Sequence, residues 1–136
     1  MKSVQFDMRN TFPSKVSIIG AARSGLAAAE FFNRKNVAVF ISDSCSEEQL
    51  RKALASRGLS ELRYESASHT EMVLDTELII LSPGVPSDIE ILMKARQRGI
   101  PVWSEMELGF QVSRAPFFAV TGSTGKSTTV SLIGEA

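Results

Sequence analysis

Residues 121–129, Thr-Gly-Ser-Thr-Gly-Lys-Ser-Thr-Thr, combine two glycines, a lysine and several hydroxyls at a spacing suited to holding phosphates. Glycines let successive backbone N–H groups converge on an anion, and a helix opening directly after them adds the partial positive charge of its N-terminus. Lys126 has the length and charge to reach β- and γ-phosphates, and the Ser127 hydroxyl is of the type that binds Mg²⁺ in such loops. The general pattern G-x-x-x-x-G-K-[ST] asks for glycine at position 120, where Val120 stands. The tighter form keeps the chemistry: Gly122, Ser123, Thr124, Gly125, Lys126, Ser127 and Thr128 are the expected ATP-binding residues. Lys126 and Ser127 are the expected catalytic residues, Lys126 by its own charge and Ser127 by holding Mg²⁺.

Three further turns carry residues of this kind. In "IIGAARSG", Gly20, Ala22 and Gly25 occupy the places of the dinucleotide fingerprint G-x-G-x-x-G. The middle glycine is absent, so a methyl stands where a pyrophosphate would approach the backbone most closely. The free N–H groups around Ser24 still suit an anion, and Arg23 can either reach a phosphate or be solvated. The same turn is equally a packing solution for a tight strand-to-helix corner. Asp43 follows about 20 residues later, where the fingerprint expects an acid that bonds a nucleoside. "SDSCSEE" around it, with Ser44 and Ser46, also reads as a helix-capping cluster. In "LSPGVPSD", Pro83 and Pro86 stiffen a loop in which Gly84 permits either positive φ or close approach by a ligand, and Ser82 precedes it. That loop either holds a second side of a phosphate or only turns the chain.

These turns need elements to position them, and the chain alternates strands and helices without repeats. "KVSIIG", "VAVFISD", "LRYES", "ELIILSPG" and "IPVWSE" read as strands. "SGLAAAEFFNRK", "SEEQLRKALASRG", "SDIEILMKARQRG" and "EMELGFQVS" read as helices. Ser46 caps the second and Gly58 stops it; Ser87 or Asp88 caps the third and Gly99 stops it. "PFFAVTG" is one more strand, leading into the phosphate loop. Such alternation implies an α/β, Rossmann-like, doubly wound and mainly parallel sheet, whose ligands collect at the carboxyl ends of its strands.

Composition narrows the partners. At 136 residues, 43% of them hydrophobic, the chain fills one compact domain. Fifteen basic residues balance fifteen acidic ones, and no basic run is interleaved with aromatics, which argues against nucleic acid. No apolar run reaches the roughly 18 residues of a membrane helix and the start lacks a signal-peptide core, so a cytoplasmic location and no membrane insertion are expected. Cys45 and His69 are the sole residues of their types. Cys45 reads as a small buried or half-buried side chain and His69 as a surface loop residue. Glu105 and Glu107, two apart on a helix, read as solvated side chains or a cap, and Trp103 as core or domain-contact surface.

The tight T-G-S-T-G-K-S-T-T loop resembles the T-G-[TS]-N-G-K-[TS]-T-T signature of the Mur ligase family, the ATP-dependent amide ligases of peptidoglycan synthesis. The order of the glycine turn, "D-S", "SPGVP", "GIPVWSEMEL" and the phosphate loop is similar to that family from Lys15 to Ala136. Thr124 in place of the usual asparagine and Ala22 are departures. The run "SPGVP … GIP … EMEL" resembles the member that joins D-glutamate to UDP-N-acetylmuramoyl-L-alanine more than the alanine-, diaminopimelate- or lysine-adding ones.

The resemblance implies a UDP-binding domain over residues 1–114 and the start of a central ATP-binding domain over 115–136. It implies that Arg23, Ser24 and Gly25 meet the UDP diphosphate, that Asp43 and Ser44 read uracil, and that Ser82 and Gly84 close on the phosphates. The implied reaction transfers the γ-phosphoryl of ATP to a carboxylate, giving an acyl phosphate that the amine of D-glutamate attacks. On this reading the 136 residues are the inactive N-terminal piece of a longer, monomeric enzyme, whose Mg²⁺ carboxylates and D-glutamate site lie elsewhere. Phe117, Phe118, Val120, Val130 and Ile133 are then expected to lack partners, leaving the segment after Arg114 mobile, packed on the first domain, or self-associating with another copy. A Rossmann-type nucleotide-binding regulatory module, or another Mur ligase member, is the alternative.

Overall fold

The structure, a computed structural model, describes residues 6–116. The phosphate loop 122–128 and the apolar residues Phe117, Phe118, Val120, Val130 and Ile133 lie outside the described residues, and with them the expectations placed on them.

Five strands and four α-helices alternate as the sequence predicts: β1 (Lys15–Ile19), α1 (Arg23–Arg34), β2 (Ala38–Ser42), α2 (Glu47–Ser56), β3 (Arg63–Glu65), β4 (Leu78–Leu81), α3 (Glu90–Gln97), β5 (Val102–Ser104) and α4 (Glu105–Val112). A 3₁₀ turn over Glu71–Leu74, not anticipated from the sequence, leads into β4. All four pairings are parallel and the strand order is β3-β2-β1-β4-β5. Parallel neighbours need crossovers, and the intervening helices supply them. After β3 the chain returns to the other side of β1, so the order reverses between β1 and β4. In open α/β sheets that reversal leaves a crevice at the carboxyl ends of the strands.

Both faces of the sheet are buried, which is why the strands read as nearly continuous apolar runs. Alternation along β1 shares them out: Val16 and Ile18 pack with Leu26, Phe32, Leu50, Leu54 and Leu108 beneath α1, α2 and α4. Ile19 packs on the opposite face with Val73, Leu74, Ile91 and Leu92 of the 3₁₀ turn and α3. Phe32 is fully buried, and truncating such an aromatic costs about 3–5 kcal/mol. Before β1, Phe6 meets Trp103 edge to face at 6.4 Å, which assigns Trp103 to the margin of the core.

Several element ends follow local chemistry. Ser46 caps α2 in a complete capping box with Gln49, and Gly58 and Gly99 take positive φ just past α2 and α3. Neither Ser87 nor Asp88 caps α3, contrary to expectation. Its N-cap is Ile89, without a side-chain bond, and the Ser87 carbonyl accepts from the Arg96 guanidinium at 2.7 Å. A contact from the last turn of the helix thus fixes the approach to its first.

Candidate functional site

The carboxyl ends of β1 and β4 are knotted together by small residues. Gly20 has φ +96°, and a Cβ there would lie 2.7 Å from Ser82 Cβ. A Cβ on Gly25 would lie 1.9 Å from the Gly20 carbonyl oxygen. Gly25 therefore lets α1 start directly against the turn, a packing role that no other residue type can fill. Ser82 completes the knot: its hydroxyl donates to Gly20 O at 2.9 Å and its N–H donates to Ile19 O at 3.0 Å. Both donors of this buried residue are thus engaged within the chain. The resemblance assigns Ser82 and Gly25 to phosphate contacts; here both work first as structural ties between the two turns.

The first turn of α1 keeps its positive end open. Its N-cap is Ala22, which has no side-chain acceptor, and no acid lies in the first turn. Helix N-termini lacking both devices leave N–H groups to be met by water or an anion. Arg23 is exposed at the first helical position and makes no ion pair among the described residues. Ser24 is half-buried beside it.

Asp43 ends β2 and ties two loops. One carboxylate oxygen accepts from Ala21 N–H at 2.5 Å and the other from Cys45 N–H at 2.7 Å. The second bond is an Asx turn, and the α2 cap belongs to Ser46 rather than to Asp43. Partial burial works against the charged carboxylate, yet the N–H groups of Ala21 and Cys45, the Cys45 thiol and His69 outweigh it and lower the Asp43 pKa. The same proximity acts in reverse on Cys45, whose thiol is pushed up to about 11 by burial, then by hydrogen bonding to Asp43 and its charge. Cys45 is half-buried, as its sequence context predicts. Ser44 is exposed between them.

The loop after β4 offers a different surface. Gly84 is exposed, its φ is not in the left-handed region, and a Cβ there would meet nothing within 4 Å. Of the two reasons for glycine left open by the sequence, the conformational one falls away. Beside this loop a cleft of about 440 Å³ is lined by Ser82, Pro83, Val85, Ser104, Glu105 and Met106, among others. Glu105 is not a solvated side chain: it is half-buried, and its Oε2 is buried without a hydrogen-bond partner. Glu107 differs, its N–H donating to the Ser104 Oγ cap and its side chain accepting from Gln111.

His69 is likewise not a free surface residue. Its Nδ1 lies 2.7 Å from the hydroxyl of buried Ser42, which is 2.6 Å from Glu65 Oε1. Glu65 also accepts from the N–H and hydroxyl of Thr70. With the Ser42 proton directed to Glu65, the Ser42 oxygen receives Nδ1–H, so the network selects the His69 tautomer protonated on Nδ1. Nothing in "SASHTEM" signals this, because its partners stand 23 and 27 residues apart from Ser42.

The fold thus brings Arg23, Ser24, Gly25, Asp43, Ser44, Ser82 and Gly84 to one edge of the sheet around the β1/β4 crevice. It leaves Lys126 and Ser127 outside the described residues. Among the described residues no helix is long and apolar enough to cross a membrane, and no cluster of three or more His, Cys, Asp or Glu could hold a metal.

Comparison with known proteins places this arrangement. A UDP-N-acetylmuramoylalanine--D-glutamate ligase of Koribacter versatilis is 41% identical over 122 residues, covering 89% of this chain and 27% of that protein. The ligase of the same name from Exiguobacterium sibiricum is 37% identical over 140 residues, covering 99% of this chain and 29% of its own length. The chain therefore spans less than a third of the relatives it matches. The crystal structure of the UDP-N-acetylmuramate-alanine ligase MurC from Thermotoga maritima superposes with a TM-score of 0.58 at 22% identity, over 88% of this chain and 28% of that one, and shows the shared fold. The family model described as "Mur ligase MurD-like, N-terminal domain" matches residues 14–104, and the chain belongs to the Mur ligase family through a MurD-like N-terminal domain.

Proposed function

We propose that this chain is the UDP-holding part of a ligase that joins D-glutamate to UDP-N-acetylmuramoyl-L-alanine in peptidoglycan synthesis. The observation that carries the reading is the uncapped, acid-free N-terminus of α1 at the β1/β4 crevice, with the unobstructed Gly84 opposite. Backbone N–H groups of residues 23–25, helped by Arg23 and Ser24, hold the diphosphate, and Gly84 lets it approach the second loop. Asp43 keeps lone pairs beyond the two already used, and with Ser44 it reads the nucleoside. The relatives' names support uridine over a nicotinamide dinucleotide, as does the Ala22 methyl in the fingerprint's middle position.

ATP and Mg²⁺ belong to the same proposal through Gly122–Thr128. When bound they supply the phosphoryl group and charge neutralisation that activate the substrate carboxylate. Lys126 would hold the phosphates and Ser127 the metal; further ligands for the metal and the D-glutamate site fall to the remaining length of such enzymes.

Titration calorimetry of the 136-residue chain with UDP, NAD and ATP in parallel tests the nucleotide reading. Uridine preference supports it. NAD preference supports a Rossmann regulatory module, and three flat titrations remove small-molecule binding from this domain.

A further inference from the structure

Immediately before Asp43, strand β2 carries a buried polar residue. Ser42 is fully buried, and a hydroxyl in that setting costs free energy unless it is hydrogen-bonded. Its Oγ lies 2.6 Å from Glu65 Oε1 and 2.7 Å from His69 Nδ1, with the Ser68 carbonyl at 3.3 Å. Glu65 Oε1 also accepts the Thr70 N–H at 2.8 Å, and Glu65 Oε2 accepts the Thr70 hydroxyl. One hydroxyl thus gathers residues 65–70, which follow β3 into the 3₁₀ turn, onto the end of β2.

That loop brackets the residues to which the proposed function assigns the nucleoside. Asp43 N–H donates to Glu65 O at 3.2 Å, and Cys45 O accepts from Ala67 N–H at 2.9 Å, so the backbone is held on both sides of exposed Ser44. Ala67 makes its bond at φ +60°, a left-handed conformation that a residue with a Cβ keeps only when its surroundings hold it there. The bonds of Glu65, His69 and Thr70 flank it and supply that hold. Strand geometry keeps the network apart from the ligand edge, because successive side chains of β2 face opposite sides of the sheet. Ile41 packs in the core beneath α1 and α2, and Phe40 packs against the core of α3. Ser42 shares the face of Phe40, whereas Asp43 reaches the turn before α1 through Ala21 N–H. The network therefore acts on a ligand at that turn through the backbone of residues 43–45.

We propose that Ser42, Glu65 and His69 are positioning residues for base recognition: the loop they fold fixes residues 43–45 so that Asp43 and Ser44 meet the edge of a pyrimidine in one orientation. The proposal rests on the UDP reading above and extends it to residues that need touch no ligand. A tie that serves stability alone is the competing account, and the two make different predictions.

Binding of UDP and of CDP to the 136-residue chain is measured by calorimetry for the wild type, Glu65→Ala, Glu65→Gln and His69→Ala, alongside thermal unfolding of each. The two nucleotides share ribose and diphosphate, so the ratio of their affinities reports the base. Glu65→Ala lowers the preference for UDP about 10-fold, the scale of one misplaced hydrogen bond to a charged group. His69→Ala removes one bond rather than three and lowers it about 3-fold, and CDP affinity stays within about 2-fold in both. Glu65→Gln keeps the wild-type preference within about 2-fold. Its carbonyl oxygen accepts from Ser42 and the Thr70 N–H as Oε1 does, and its amide donates to the Thr70 hydroxyl. An unchanged ratio in either alanine variant, whatever its unfolding temperature, overturns the proposal, as do equal losses for the two nucleotides. So does a Glu65→Gln protein as impaired as Glu65→Ala, which assigns the effect to charge rather than to the fold of the loop. If the wild type prefers UDP, those results concern the network alone; if it binds UDP and CDP equally or not at all, base reading by Asp43 and Ser44 falls first and this proposal with it.

Discussion

The carboxylate of Asp43 accepts the backbone N–H of Ala21 at 2.5 Å, across 22 residues of sequence. One side chain at the end of β2 thereby sets the turn from which α1 begins, so a substitution here acts on two things at once. Asp43→Ala is expected to weaken UDP binding by about 1–3 kcal/mol if the carboxylate also bonds the nucleoside. Because the turn loses its tie as well, unfolding must be measured beside binding. Unchanged UDP affinity with an intact circular dichroism spectrum would reduce Asp43 to its ties with Ala21 and Cys45.

The lowered pKa of Asp43 makes stability depend on pH in a defined direction. The folded state holds the carboxylate as an anion more firmly than the unfolded chain does, where it titrates at about 3.9. Between the two values the unfolded state binds more protons, so stability falls as pH drops through them. The Asp43 contribution is fully present above the unfolded value and lost as pH falls through the folded one. Denaturant titrations of wild type and Asp43→Asn are expected to differ near neutrality and to converge under strong acid. A difference that persists undiminished in acid would mean that charge is not the source.

Two glycines at the same edge are expected to respond oppositely to a single methyl. Gly25→Ala forces a Cβ to 1.9 Å from Gly20 O, which α1 can relieve only by moving away from the turn. A loss on the order of 3 kcal/mol, or failure to fold, is expected. Gly84→Ala meets nothing within 4 Å and needs no unusual φ, so its stability is expected to be equal or slightly higher. Calorimetry should nevertheless show weaker UDP binding for Gly84→Ala. Wild-type affinity in that variant would leave Gly84 without a ligand-contact role.

Cys45 is expected to be a poor nucleophile. With its thiol pushed up to about 11, the reactive thiolate is scarce at neutral pH. Alkylation by iodoacetamide should be slow at pH 7.5 and still rising with pH at 9.5. Asp43→Asn removes the adjacent negative charge and should accelerate it. Rapid labelling of the native wild type at pH 7.5 would contradict the Asp43–Cys45 proximity.

The strands and α-helices were legible because each is a local pattern: β-branched runs closed by Gly20 or Asp43, a capping box at Ser46, stops at Gly58 and Gly99. Relationships between distant residues were not. Hydrophobic periodicity carries no trace of His69 meeting Ser42 across 27 residues, or of the Ser82 hydroxyl reaching Gly20 O across 62. "SD" before a helix is an ordinary capping signal, yet Arg96 holds the Ser87 carbonyl and α3 starts at Glu90. At the candidate site the residue types at the turns could be read, whereas their division of labour could not. Gly25 and Ser82 prove to be tied into packing, Gly84 is left open, and Glu105 gave no sign of its unpaired oxygen.

The two nucleotide sites of the proposal are separable by mutation. Lys126 belongs to the expected ATP loop, whereas Arg23, Ser24, Asp43 and Gly84 belong to the sheet edge of residues 14–104. Phosphoryl transfer depends on positioning and neutralising charge, so a lysine on the β- and γ-phosphates acts chiefly in the transition state. In a full-length protein carrying this sequence, Lys126→Ala is expected to lower D-glutamate-dependent phosphate release by at least about 100-fold, the scale of losing one transition-state donor. UDP binding should stay within about 2-fold of wild type, since no residue of the UDP edge is altered. The 136-residue chain alone is expected to bind UDP without releasing phosphate, because the relatives of that activity are more than three times its length. Normal turnover by the Lys126→Ala enzyme, or D-glutamate ligation by the 136-residue chain, would contradict the assignment of ATP to this loop or of the remaining chemistry to the rest of the enzyme.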